Sequence, residues 1–263
     1  MAGLEAPALQ RAPVASLRHD RRVTLGGLAA LVIVAWLYLW HMAAGMDPSM
    51  MVAAHTPRAT SPGAMVMTFL MWAVMMAGMM LPSAAPAIVL YGSMVRNHAR
   101  RGSTLPGTWI FATGYLLVWT AFSVVAAALQ VSLEAAALTT PGMTFASTTL
   151  SALALIAAGV YQVTPLKQAC LRKCRQPIEY FVMHWRPGSG GALRMGLEHG
   201  AYCLGCCWAL MLLLFVAGVM NLAWVALIAA FVFAEKLLPA GRLTAYAAGV
   251  VLVGYGLFVL VRL

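Results

Sequence analysis

The run VTLGGLAALVIVAWLYLWHM, residues 23–42, contains no Asp, Glu, Lys or Arg. About 20 such residues are enough for a helix to cross the roughly 30 Å of a bilayer's hydrocarbon. The basic leader before it (Arg11, Arg18, Arg21 and Arg22) has the character of a signal peptide's n-region. The apolar stretch is longer than such a peptide uses, so it reads as a retained first transmembrane helix.

Composition extends this reading to the whole chain. Hydrophobic residues make up 62% of the 263 positions and charged residues only 9%. A soluble domain carries about 25% charged residues to cover its surface. No single globular core hides so much apolar side chain from water. The formal net charge of +10 suggests nucleic acid at first sight. However, the basic residues sit in short patches between apolar runs, which is the pattern of membrane topology and excludes a nucleic-acid-binding module.

Seven segments have the length and apolarity to span: 24–45, 64–95, 107–131, 145–164, 192–219, 221–238 and 243–262. The second exceeds one straight span, and Pro82 and Pro86 are expected to kink it. The fifth and sixth nearly touch at Met220 and Asn221, which requires a tight turn. The expected fold is all-α, a polytopic transmembrane helical bundle of about seven helices. Residues 1–23 form a basic cytoplasmic segment, and 24–263 form a single transmembrane domain.

Orientation follows from the basic residues. With the N-terminus in the cytoplasm, the inner segments hold the four leader arginines, then Arg96, Arg100 and Arg101. The next inner loop holds Lys167, Arg172, Lys173, Arg175, Arg186 and Arg194, and the last holds Lys236 and Arg242. Fifteen of the 17 basic residues are then inside, and only Arg58 and Arg262 are not. Dropping one helix would reverse every later loop and lose this asymmetry. The expected location is the bacterial inner (cytoplasmic) membrane, as a multi-pass protein. Trp36, Tyr38, Trp40, Tyr91, Trp109 and Trp185 read as interfacial anchors.

Three regions carry chemistry. On the fifth segment lies Glu198-His199-Gly-Ala-Tyr-Cys203-Leu-Gly-Cys206-Cys207-Trp208. At about 100° per residue, Cys203 lies roughly 40° from His199, Cys206 about 20° to the other side and Cys207 about 80° away. Imidazole and thiolates on one stripe suit Cu(I), Zn(II) or an iron–sulfur cluster. Single membrane cysteines are usually small packing residues. A glutamate, a histidine and three cysteines within ten residues of apolar sequence are a costlier arrangement that points to function. Gly200 and Gly205 would let a neighbouring helix come close.

On the second segment, Met67, Met71, Met75 and Met79 repeat every four residues, with Met76 and Met80 alongside. Thioethers enter hydrocarbon at little cost and still ligate soft cations, although most membrane methionines only fill space. Met79 and Cys206 both lie about 14 residues from the inner surface, roughly 21 Å along their helices. A shared site requires the second and fifth helices to be neighbours. The third region is a pair of flanking clusters. Outside lie His41, Met42, Met46, Asp47, Met50, Met51 and His55, and inside lie Cys170 and Cys174 at i, i+4. Glu235-Lys236 closes the sixth segment as an interfacial pair.

These runs resemble a family of predicted metal-binding integral membrane proteins, a domain-of-unknown-function family. The resemblance rests on Met75-Met76-Ala-Gly-Met79-Met80-Leu-Pro82-Ser83-Ala-Ala-Pro86, on Tyr161-Gln-Val-Thr-Pro165-Leu-Lys167-Gln-Ala-Cys170-Leu-Arg-Lys-Cys174-Arg and on the His199–Trp208 run. Gly218-Val-Met220-Asn221-Leu-Ala-Trp224 through Glu235, Lys236 and Pro239 also fits. It implies that these motifs belong together, over about residues 60 to 240, and that the protein binds metal.

The expected function is copper handling, either transport or delivery to a membrane or periplasmic cuproenzyme. Cu(I) would be held by His199, Cys203, Cys206 and Cys207 with Met75, Met79 and Met80, and Cys170 and Cys174 would extend the route. Zinc or iron are alternative metals. Partners would be the lipid bilayer and a cuproenzyme or the subunits of a membrane complex. Two other readings stay open: a metal-containing oxidoreductase or monooxygenase-like subunit, and a structural accessory subunit whose cysteines only pack.

Overall fold

Proline placement divides the middle of the chain. Proline lacks an N–H and disfavours helical geometry in the residue before it. Accordingly Thr164, ahead of Pro165, is extended (φ −67°, ψ 146°). It ends one helix and caps the next, its hydroxyl accepting from the Lys167 backbone N–H. Gln176, ahead of Pro177, is also non-helical.

The computed structural model describes residues 14–45, 61–99, 107–140 and 142–262. The helices are α1 (Val14–Ala44), α2 (Pro62–Ala99), α3 (Thr108–Ala135), α4 (Thr148–Val163) and α5 (Pro165–Arg175). They continue as α6 (Pro177–Met183), α7 (Gly188–Leu212), α8 (Leu214–Ala217), α9 (Leu222–Leu237) and α10 (Gly241–Val261). Among the described residues the only β-type pairing is one isolated bridge, Thr139–Phe145. The fold is all-α.

Five stretches are long and apolar enough to cross a membrane: Arg21–Ala44, Pro62–Val95, Thr108–Ala135, Gly188–Ala217 and Gly241–Val261. A sixth arises if α4 and α5, bent by 63° at Thr164, act as one span. Among the described residues, two of the seven expected segments do not reach that length as single helices: α4, in place of 145–164, and α9, in place of 221–238, have 16 residues each, about 24 Å of helix. α2 runs unbroken through Pro82 and Pro86. The turn expected near Met220 is made by Gly218 at φ +96°, where an added Cβ would also come within 3.0 Å of the Gly142 carbonyl oxygen. Asn221 then caps α9, accepting from the Trp224 N–H at 3.2 Å.

The strongest helix contacts are α4 with α10, α3 with α7, α2 with α3, and α1 with α2. The α3–α7 crossing is close because glycine meets glycine: a Cβ on Gly114 would lie 3.1 Å from the Gly196 Cα. Between α2, α3, α7 and α9 runs one continuous core that contains Met75, Met76, Met79, Met80, Cys203, Cys206 and Cys207. Tyr91 also belongs to it, stacked on Phe111 at 4.7 Å and on Trp185 at 5.8 Å. Its expected role as an interfacial anchor is therefore replaced by an aromatic packing one.

Glu235 and Lys236 depart furthest from expectation. They are buried, and they do not pair with each other. Glu235 accepts from the Lys167 ammonium at 2.9 Å through both carboxylate oxygens. Lys167 is itself fully buried and also donates to Gln162. This ion pair ties α9 to α5. Removing one member of a buried pair leaves the other uncompensated, at a cost of about 3–5 kcal/mol. Lys167→Met or Glu235→Gln alone should lower the thermal midpoint of the detergent-solubilised protein sharply, and the double variant should recover much of the loss. Equal midpoints for both single variants and the wild type would contradict this account of the pair.

Candidate metal centre

The α7 register puts four of its polar groups on the inside. His199, Cys203, Cys206 and Cys207 are each at most 3% exposed. All three cysteines are free. The Cys206 and Cys207 thiols both donate to the Cys203 carbonyl, at 3.1 and 2.9 Å. They are thus gathered at one turn of the helix. Cys203 Sγ also meets a pair of polar groups from neighbouring helices. It receives a hydrogen bond from Lys236 Nζ at 2.9 Å and lies 3.0 Å from the Tyr115 hydroxyl.

Those two residues connect the cysteine helix to the methionine helix. Tyr115 on α3 donates to the Met80 carbonyl at 3.1 Å. Lys236 on α9 donates to Ser83 Oγ at 2.9 Å. α2 and α7 meet only weakly along their backbones, yet Met80, Ser83 and Cys203 lie within one hydrogen-bonded group. Tyr115 and Lys236 are thus the bridge between the Met80–Ser83 turn of α2 and Cys203 on α7. Met75 and Met79, on the same helix as Met80, are also buried in that core.

The inner cysteines reach the cluster too. α5 packs along α7 because Gly205 leaves room: a Cβ there would come within 2.8 Å of Cys170 Sγ. This fulfils the close approach expected at that glycine. The Tyr161 hydroxyl donates to the Gly205 carbonyl just beside it. One turn further along α5, the Cys174 thiol is close enough to Cys206 for the two to influence each other electrostatically, and Cys170 lies against the same turn.

His199 stands apart from the thiols. Its imidazole lies among Phe111, Tyr115 and Tyr180, with ring centroids 5.9, 6.0 and 6.2 Å away. Its Nδ1 is buried without a hydrogen-bond partner. A buried polar atom left unpaired costs about 1–3 kcal/mol, and this nitrogen is such an atom inside the core. Glu198, by contrast, is satisfied away from the cluster. It accepts from the Tyr180 hydroxyl at 2.9 Å and from Arg194 at 3.0 Å, with Arg186 at 3.6 Å. Burial, and the Glu198 carboxylate beside it, push the Tyr180 phenol above its ordinary pKa.

Among the described residues, no three His, Cys, Asp or Glu side chains converge on one point as a ready-made metal cage. The Cys206 and Cys207 thiols turn back to a carbonyl of their own helix. The donor chemistry still fits a soft monovalent ion. Thiols and neutral thioethers occur together, no carboxylate is hydrogen-bonded to a cysteine, and one imidazole nitrogen is idle. Of the outer Met/His cluster, residues 46–55 lie outside the described residues.

Sequence reading missed Lys236, Tyr115 and Ser83 as members of this site. The available signal for Lys236 was a charge inside an apolar run, which is expensive unless it has a purpose. Tyr115 and Ser83 gave none, because their role depends on which helices pack together.

No curated protein and no solved structure matches the chain. A family model described as PpoB2, copper chaperone, matches residues 69–259, from Phe69 in α2 to within the last turn of α10, and the chain belongs to that copper-chaperone family.

Proposed function

We propose that this protein is an integral membrane copper chaperone of the bacterial inner membrane, N-terminus inside, that holds Cu(I) within its helical bundle and passes it to a membrane or periplasmic cuproenzyme. Family membership supports the copper-related role, and the long apolar helices support the membrane setting. The observation that carries the reading is the contact of Lys236 with Cys203 inside a dry core rich in thiols and thioethers.

Cu(I) prefers few, soft ligands, and two thiolates around it leave one net negative charge. Such a charge is costly in a low-dielectric interior unless a cation compensates it. The Lys167 charge is balanced by Glu235, which leaves Lys236 as the uncompensated cation of the cluster. Cys203 and Cys206 would be the thiolate pair. Cys174 and Cys207 lie alongside as exchange partners, and Met75, Met79 and Met80 line the route as neutral sulfur donors. The idle His199 nitrogen is a further donor one helical turn away, and Cys170 extends the path toward the inner end of α5. A chaperone must release its cargo. Ligands that rotate onto the ion from carbonyl-bonded resting positions suit that better than a rigid cage.

Anaerobic Cu(I) titration of the purified protein against a competing chromophoric chelator tests this directly. Wild type should take up copper stoichiometrically, and Cys203→Ser/Cys206→Ser should bind at least about a hundredfold more weakly, the scale on which essential metal ligands act. Absence of stoichiometric copper in the wild type would overturn the proposal. In the same assay Lys236→Met should weaken Cu(I) binding roughly tenfold or more. A unit charge about 4 Å away at an effective dielectric of about 20 is worth about 4 kcal/mol before desolvation is subtracted. Unchanged affinity in a folded Lys236→Met protein would remove Lys236 from the site.

A further inference from the structure

Beside the bend between α4 and α5, with no cysteine in its lining, lies a cavity of about 610 Å³. Its wall carries three arginines, Arg172 and Arg175 from α5 and Arg242 from the start of α10, together with Gln168 and Tyr246. Among the described residues, no carboxylate pairs with any of the three, since every ion pair there involves Glu235 or Glu198. Arg175 is held in place by the α9–α10 turn, donating to the Leu238 and Pro239 carbonyls at 2.6 and 2.8 Å. Gln168 donates to the Gln162 carbonyl, while its own Oε1 is buried with no hydrogen-bond partner. Three unneutralised guanidinium groups and an idle acceptor around one cavity call for a ligand that brings negative charge and a hydroxyl donor.

We propose that this cavity binds the phosphate-bearing headgroup of an anionic phospholipid such as phosphatidylglycerol. Arginine is the side chain best shaped for phosphate, because its planar fork matches two phosphate oxygens. A glycerol hydroxyl on the same headgroup would supply the donor that Gln168 Oε1 lacks. Apolar residues at the mouth separate a lipid from a soluble phosphate. Val163 lines the cavity and is exposed, and Leu166, Leu243 and Val250, close by on α5 and α10, are more exposed still. A charged pocket bordered by bare aliphatic side chains suits a ligand whose head is anionic and whose tail is hydrocarbon. This inference rests on the membrane reading but not on copper.

The test uses the full-length protein in detergent micelles, with native mass spectrometry reading bound ligand. The probes are phosphatidylglycerol, phosphatidylcholine of the same chain length, and soluble glycerol 3-phosphate. Phosphatidylglycerol should bind in preference to both others. Arg172→Gln and Arg242→Gln, which replace exposed side chains, should each weaken it about fivefold, the effect of one cationic side chain at an anionic headgroup. Cu(I) uptake should be unchanged in both variants. Equal binding of phosphatidylcholine, or phosphatidylglycerol affinity that both variants leave intact, would overturn the site. Glycerol 3-phosphate binding as tightly as the lipid would overturn the lipid assignment.

Discussion

An ammonium group 2.9 Å from a cysteine sulfur, inside a bundle of apolar helices, is the contact on which the rest of this structure depends. Water is the usual solvent for a lysine, and Lys236 is buried among apolar helices. Lys236 therefore takes its partners from three elements: Cys203 on α7, Ser83 on α2 and, through Cys203, the Tyr115 hydroxyl on α3. Through these contacts one small polar group links α2, α3, α7 and α9. The same contact gives the core a positive charge ready to meet an anionic metal–thiolate complex, which is the basis of the proposed copper site.

The scaffold around this group follows from prolines and glycines. Pro165 and Pro177 cut the chain after α4 into short helices, and the first of these lies along α7 at Gly205. That approach brings Cys170 and Cys174 from a segment expected to be a connecting loop onto the cysteine turn itself. Gly114 and Gly196 bring α3 against α7, which is what lets Tyr115 reach Cys203. Lys167 and Glu235 then lock α5 to α9 with a pair that is neutral as a unit. The balanced pair and the single lysine beside it have distinct consequences. The first fixes geometry, and the second sets the charge of the cluster.

Much of the fold was legible in the sequence because bilayer-scale hydrophobicity is a local property. The apolar runs predicted the all-α class and the cores of the longer helices, and 3.6-residue periodicity placed His199, Cys203 and Cys206 on one stripe of α7 with Cys207 at its edge. Helix count was less legible, since α4 and α9 have 16 residues each and are shorter than the apolar segments read for them. The site was half legible. Soft-ligand residues declared themselves by composition, whereas Tyr115 and Ser83 matter only through packing between helices far apart in sequence. Glu235-Lys236 misled because adjacent opposite charges suggest a pair, although successive residues on a helix point about 100° apart. Each finds its partner on a different helix.

The central claim is that Cu(I) is bound by the sulfur of this cluster. Copper K-edge X-ray absorption of the anaerobically loaded full-length protein tests it most directly. The account predicts Cu(I) with a first shell dominated by sulfur, and loss of most of that sulfur scattering in Cys203→Ser/Cys206→Ser. A first shell of nitrogen and oxygen alone, or a sulfur shell untouched by that double substitution, would contradict it.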